Sequence, residues 1–425
     1  MNPLYNTGIH LYSTVARSIG MFGHRKARLM TRGQKSTFDA LRRFDAESPE
    51  GALRVWIHAA SLGEFEQGRP LIEWLRREIP GVRILLSFFS PSGYEVRKNF
   101  AAADCVVYLP FDTPAASRRF VDIARPSVAI FVKYEFWGNY LTALRRAGVP
   151  VYIISAIFRE KQIFFRPCGG MFRRMLRCFT HLFVQDATSK QLLESGGVNP
   201  DAITVCGDTR FDRVTDTLRS ARQVPEVENW LAATGGTGRF TLVAGSSWGP
   251  DEDVYFPWLT SHPEVRAIIA PHEFDAGRLE AMRSRLGADV TLLHSELAEA
   301  SAERVASARY LIIDCFGLLA SLYRFASLAY VGGGFGVGIH SVSEAAVFSI
   351  PVIFGPNYSK FREARELIAC GGAVSVASPK DFSTTASHML QNSSSRTSAG
   401  RSAGEYIAAN VGATEIIAKH IFRKQ

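Results

Sequence analysis

The chain has 425 residues, 47% of them hydrophobic and 21% charged, with a formal charge of +9. That length asks for two or three domains, and the composition excludes disorder, collagen-like repeats and a disulfide scaffold. No window reaches the ~18 apolar residues of a spanning helix, which excludes a polytopic membrane protein. The six cysteines (Cys105, Cys168, Cys178, Cys206, Cys315, Cys370) stand singly, without a CxxC pair. That usage points to a reducing compartment and away from structural zinc.

Residues 1–43 hold eight Lys or Arg (Arg17, Arg25, Lys26, Arg28, Arg32, Lys35, Arg42, Arg43) against Asp39 alone. The remainder is nearly neutral and shows no nucleic-acid motif, so the charge belongs to one arm and no nucleic-acid partner is expected. Within Tyr5 to Met30, Leu11, Val15, Ile19 and Phe22 recur at three or four residues and line one helical face. The positive charge follows the apolar stretch and Arg17 interrupts it, unlike a secretory signal peptide. Two readings fit: a helix lying in an anionic membrane interface, or an amphipathic helix packed on its own domain with a basic outer face.

Leu53 to His58 reads as a buried strand, followed by a turn and a helix over Gln67 to Glu78. Val82 to Phe89, Cys105 to Tyr108, Val128 to Val132, Val151 to Ser155, Leu182 to Val184 and Ile203 to Cys206 are further strands, with helical windows such as Tyr140 to Ala147 and Ala187 to Ser195 between them. Strands apolar on both faces, alternating with helices, mean a parallel sheet covered on both sides. The polar stretch 215–238 reads as a linker. Beyond it strands restart at Phe240 to Ala244, Val265 to Ala270, Val290 to Leu293, Tyr310 to Ile313, Leu328 to Val331, Pro351 to Phe354 and Ala373 to Val376. Asn392 to Gly404, rich in Ser, Arg and Gly, reads as a loose loop, and Glu405 to Phe422 as a last helix. The expected divisions are a basic arm 1–43, an α/β domain 44–214, the linker, an α/β domain 239–404, and a segment 405–425 packing back on the first domain.

In two-domain α/β proteins, ligands collect at strand C-termini, so polar residues there are the candidates. Glu64, in His58-Ala59-Ala60-Ser61-Leu62-Gly63-Glu64, can act as a general base or cap the helix behind it, with Glu66 as a rival. Glu135 and Asn139, in Glu135-Phe136-Trp137-Gly138-Asn139, follow another strand and read equally as structural groups. Arg159, Arg166, Arg173, Arg174 and Arg177 lie among Phe158, Phe164, Phe165, Phe172 and Phe179. That stretch suits a phosphate-rich lipid, or a surface helix with a core stripe. Gly245-Ser246-Ser247 precedes a helix and can cradle phosphate, although it matches no nucleotide fingerprint. His272 and the Asp314–Gly317 turn sit at other strand ends and suit phosphate and nucleobase. Gly332 to Gly338 packs five glycines into seven positions, which implies close ligand approach or a sharp crossover. Glu344, in the next helix, suits ribose hydroxyls. Asp251-Glu252-Asp253 opens a helix and reads as complement to its positive end; no strand-end DxD pair is present, so no metal is expected.

Taken together these segments resemble the bacterial Kdo transferases, which attach 3-deoxy-D-manno-oct-2-ulosonic acid to a lipid A precursor. His58 to Glu64 resembles the family's HAxSxGE segment, and Glu135 to Asn139 its E-x-W-P-N, with Gly138 for proline. Gly207-Asp208-Thr209-Arg210-Phe211-Asp212 resembles G-N-x-K-F-D, while Gly245-Ser246, Gly332 to Ala346 and Gly355-Pro356 match later segments. The departures are Pro271-His272 without the family's arginine, Ser341 for asparagine, Leu318 for the acid after Gly317, and Lys360-Phe361. The resemblance implies a GT-B fold and a CMP-Kdo donor without metal or other cofactor. It makes Glu64 the base, with Ser61 and Gly63 in its turn, and assigns donor contacts to Arg210, Gly245, Ser246, Ser247, His272, Asp314, Gly317, Gly333, Gly334, Gly336 and Glu344. It also implies an arm on the cytoplasmic face of the inner membrane. A GT-B enzyme using another nucleotide sugar, or a non-catalytic sugar-nucleotide-binding protein, are the alternatives.

Overall fold

A computed structural model of the protein describes residues 3–219, 222–236 and 238–422. Residues 1–2 of the arm, 220–221 and 237 of the expected linker, and 423–425 of the last segment lie outside the described residues.

Each apolar run read as a strand forms one. The first seven are β1 (Arg54–His58), β2 (Arg83–Phe88), β3 (Cys105–Tyr108), β4 (Val128–Val132), β5 (Val151–Ala156), β6 (His181–Val184) and β7 (Ile203–Val205). The second set is β8 (Thr241–Ser247), β9 (Arg266–Pro271), β10 (Thr291–Leu293), β11 (Tyr310–Ile312), β12 (Leu328–Val331), β13 (Val352–Phe354) and β14 (Ala373–Ser375). They build two seven-stranded sheets, ordered β3-β2-β1-β4-β5-β6-β7 and β10-β11-β9-β8-β12-β13-β14, with every pairing parallel. Alternation explains the double burial: Val55, Ile57, Val128 and Ile130 enter one core, while Trp56, Ala129 and Phe131 enter the other.

The chain forms two compact units, Met1–Arg213 with Val411–Gln425, and Val214–Asn410. In each sheet the strand order reverses beside the first strand, between β1 and β4 and between β8 and β12. Such reversal points open a crevice at the strand C-termini. Backbone strain gathers there too: Lys133, Ser155 and Ser246, at the ends of β4, β5 and β8, adopt φ of 67°, 51° and 53°, a region costing a non-glycine residue ~1–3 kcal/mol.

Three expectations are corrected. The stretch 215–238 is largely helical, containing the second half of Arg210–Arg219 and all of Pro225–Ala233. The second helix buries Val227, Trp230 and Leu231, and buried Arg266 caps its carbonyl end by donating to Leu231 O and Gly236 O, both at 2.6 Å. Burial brings the Arg266 guanidinium down to about 10. Asn392 to Gly404 is not a loop either, because Ser393–Ala409 is a helix. Its small residues are packing contacts: a Cβ on Gly400 would stand 2.2 Å from Ser349 O, and one on Gly404 2.1 Å from Ser349 Oγ. Finally, Glu405 to Phe422 is broken at Gly412 (φ 110°). Asp212 accepts there from the N–H groups of Gly412 (2.6 Å) and Thr414 (2.7 Å), starting a separate helix, Ala413–Phe422. That helix lies on Leu62–Glu78 through Ile417, Ala418 and Ile421, with Trp74 Nε1 donating to Glu415 at 2.9 Å.

The arm forms helices Pro3–Met21 and Arg25–Gly33. The first helix does pack on its own domain, but through Ser13, Ala16 and Gly20 with Tyr12 against Phe89 and Phe111, and not through the apolar stripe. Leu11, Met21 and Phe22 are 66%, 77% and 90% exposed. No helix among the described residues is long and apolar enough to cross a membrane.

Candidate functional site

Glu64 stands in the first turn of Leu62–Glu78, on the loop leaving β1. Its carboxylate accepts from Ser61 N–H at 3.1 Å and touches Ser61 Oγ, so it holds its own turn while remaining half-exposed. Glu66 is engaged instead by Arg97 (3.1 Å) and Arg213.

Behind this turn runs a buried polar chain. Trp56 Nε1 donates to Ser87 Oγ (2.8 Å), and His58 Nδ1 lies 2.9 Å from that hydroxyl and 3.1 Å from Ser87 O. His58 Nε2 lies 3.2 Å from Glu135 Oε2, and Trp137 Nε1 reaches both, at 3.0 Å from the ring nitrogen and donating to the carboxylate oxygen at 2.6 Å. Glu135 therefore ties the loop after β4 to the end of β1 and fixes where the Glu64 turn begins. Tyr134 is the residue sequence reasoning passed over. Burial raises its hydroxyl, with Arg159 and Arg210 opposing and Glu64 and Asp208 reinforcing, so these four charges share its surroundings. Arg210 is oriented by buried Asp208, which accepts from its Nε at 3.0 Å and from Gln67 Nε2.

Asn139 is a structural residue. It donates to Asn6 Oδ1 at 2.9 Å, and its N–H donates to Asp112 Oδ2 at 3.0 Å. Tyr5 donates to the same Asp112 oxygen (2.6 Å) and accepts from Gly138 N–H (3.1 Å). These bonds anchor the arm to the segment that carries Glu135. Burial pushes the Asp112 carboxyl up to about 6, against the pull of its hydrogen bonds from Tyr5, Asn139 and Tyr140. The folded chain thus takes a proton near pH 6, whereas an ordinary carboxyl waits until 3.8. The cost of ionised Asp112 is present above pH 6 and withdrawn as pH falls towards 4. Denaturant titrations at about pH 7.5 and pH 5 should show ~1 kcal/mol recovered at the lower pH, a gain that Asp112→Asn lacks.

The basic-aromatic stretch divides. Phe158, Phe164 and Phe179 belong to the first unit's core, with Phe136 against them, so the rings follow the core-stripe reading. Arg173 donates to Phe164 O (3.0 Å) and Arg166 O (2.9 Å), and Arg166 to Lys161 O (3.1 Å). Arg159, Arg174 and Arg177 are exposed.

In the second unit, candidates converge after β8, β9 and β12. Gly245 is required by packing, for a Cβ would stand 2.1 Å from Tyr323 Oη. Ser247 turns inward, accepting from Tyr255 Oη (3.1 Å) and donating to Glu252 (3.2 Å), which leaves Ser246 as the half-exposed hydroxyl. His272 stacks on Trp248 at 4.4 Å and lies 4.6 Å from His340. Burial, then neighbouring His272, lowers the His340 imidazole.

The glycine loop is a crossover before it is a ligand cradle. A Cβ on Gly332 would meet Ser246 O at 2.3 Å, and one on Gly334 would meet Gly355 backbone at 2.6 Å. Gly333 (φ 92°) donates to Asp251 Oδ2 at 2.9 Å; Asp251 therefore does more than complement a helix end. Gly334→Ala should lose ~2 kcal/mol by urea unfolding, while Gly336→Ala, with nothing nearer than 3.6 Å, should unfold near wild type. Asp314 accepts from Ser295 N–H at 3.1 Å, Gly317 (φ 90°) is exposed, and Glu344 is half-exposed near Tyr323. Arg210 belongs to the first unit and the other donor candidates to the second. No metal-holding group of three His, Cys, Asp or Glu occurs among the described residues.

Residues 25–213 match the family described as 3-deoxy-D-manno-octulosonic-acid transferase (kdotransferase). The 3-deoxy-D-manno-octulosonic acid transferase of Bordetella pertussis is 29% identical over 385 residues, 85% of each chain. The enzyme of that name from Aquifex aeolicus is 25% identical, covering 79% of this chain and 86% of its own. Among solved structures, UDP-GlcNAc 2-epimerase of Neisseria meningitidis aligns with TM-score 0.61 and 13% identity, over 87% of this chain and all of its own. MurG of Acinetobacter baumannii aligns at 0.54 and 14%, over 88% and 99%. These structural likenesses show the fold, two Rossmann-like units of the GT-B class.

Proposed function

We propose that the chain is a 3-deoxy-D-manno-octulosonic-acid (Kdo) transferase, as the match of residues 25–213 to that family and the relatives of that name support, and that it moves Kdo from CMP-Kdo to a lipid A precursor with Glu64 as general base. The observation that carries this reading is Glu64 itself. It lies on the loop after β1, at the reversal point of the first sheet and inside the matched residues.

The acceptor hydroxyl attacks the anomeric carbon of Kdo. Glu64 takes its proton as the new C–O bond forms, and the bond to the CMP phosphate breaks. Ser246 and the Trp248–His272–His340 stack receive the phosphate. The Asp314–Gly317 turn takes the cytosine and Glu344 the ribose. The chemistry needs no divalent ion in this reading, so transfer should persist in EDTA. The outward Leu11, Val15, Ile19 and Phe22 and the basic arm support seating at the cytoplasmic face of the inner membrane.

The test is incubation with CMP-Kdo generated in situ and a tetraacyl lipid A precursor, read by mass spectrometry. An adduct of one or more Kdo units is expected. Folded, CMP-binding protein that gives no adduct would overturn the donor–acceptor assignment in favour of another nucleotide sugar.

A further inference from the structure

The arm contains a pocket lined by none of the residues assigned above to transfer. Helices Pro3–Met21 and Arg25–Gly33 close on each other at Gly20, where an added Cβ would stand 3.1 Å from Ala27 and Arg28 backbone. The far wall is fixed to the sheet, with Gln34 Nε2 donating to Leu109 O (2.9 Å) and Thr37 Oγ1 to Tyr108 O (2.8 Å). Between them opens a cavity of about 790 Å³ lined by Arg17, Arg28, Arg32 and Lys35, with Phe111 in its wall. The Arg17 guanidinium lies 5.6 Å from the Phe111 ring centroid. No carboxylate lines the cavity, and no ion pair among the described residues engages any of the four cations.

Four like charges around one preformed hollow repel one another unless an anion enters. Guanidinium forks match phosphate oxygens in pairs. Met21 and Arg17 line the pocket from the same helix that turns Leu11, Val15 and Ile19 outward. A phosphate held here would thus lie beside apolar side chains, as it does in a lipid and not in a free anion.

We propose that this pocket is a head-group site for the phosphate of an acidic glycerophospholipid. The proposal rests on the reading that the arm lies on a membrane surface, and it adds a defined anion seat to that reading. The basic pocket selects the lipid charge, and the outward apolar face supplies depth.

The full chain is tested by flotation with phosphatidylcholine vesicles, with and without added phosphatidylglycerol. Phosphatidylglycerol should strengthen binding about tenfold or more. The pair Arg28→Gln and Arg32→Gln should remove most of that gain and leave binding to phosphatidylcholine unchanged. Arg118→Gln with Arg146→Gln, which removes equal charge from another surface, should keep the gain; equal loss in both double variants would overturn the pocket. So would displacement of the vesicles by inorganic phosphate at matched concentration, or equal binding to both vesicle types. Leu11→Ser with Phe22→Ser should lose both vesicle types, and wild type that floats with neither would sink the membrane reading itself. Unchanged unfolding temperatures exclude misfolding as the cause.

Discussion

Glu64→Gln is expected to reduce Kdo transfer by about two to four orders of magnitude, the range for removing a positioned general base, while changing the unfolding temperature little. Both halves of this expectation come from the same geometry. Glu64 accepts from Ser61 N–H at the start of its helix, and glutamine can occupy that position and accept the same bond. Glutamine cannot take a proton from an attacking hydroxyl. Glu64→Ala should cost a further ~1 kcal/mol of stability, the usual value of a lost cap. Rate and stability, measured on both variants, therefore separate the two roles of one carboxylate. Transfer by Glu64→Gln near the wild-type rate would leave Glu64 as a helix cap and move the search for a base to other groups. Glu66 is a poor substitute, being held by Arg97 and Arg213.

The second large effect is expected at Asp251. This buried carboxylate accepts from Tyr330 Oη, Gly333 N–H and Trp248 N–H, each at 2.9 Å. Asp251→Ala would strand a buried hydroxyl and two backbone donors, at ~1–3 kcal/mol for each left unmet. We expect a loss of about 3–5 kcal/mol in urea unfolding, together with CMP affinity reduced at least ~tenfold because Gly333 and Trp248 lose their shared anchor. Asp251→Asn, which keeps the shape and part of the bonding, should fall between. Calorimetric CMP titration of the asparagine variant near wild-type affinity would show that the glycine loop holds itself.

Much of this was legible in the sequence because short apolar runs bounded by glycine and proline have few ways to fold. All the strands, both sheets and the strand-end position of Glu64 follow from that pattern. Small residues were harder to read. Gly400, Gly404, Gly332 and Gly334 have the composition of a loop or a ligand cradle, but a neighbouring segment passes too close at each for a side chain, and only tertiary structure reveals the partner. For the arm the sequence left two readings open, and the outward turn of Leu11 and Phe22 depends on Ser13, Ala16 and Gly20 taking the inner face by allowing close approach. Tyr134 and Asp112 carried a signal, each following a buried strand, but their partners Arg159, Arg210, Tyr5 and Asn139 lie far away in sequence.

The return of Ala413–Phe422 to the first unit has a consequence for synthesis. That unit begins at the start of the chain, yet Ile417 and Ile421 reach its core only after about 200 residues of the second unit have been made. At ~5–20 residues per second this is a wait of roughly 10–40 s. During it Trp74 and its apolar neighbours have no covering helix, so on the ribosome the second unit can finish before the first.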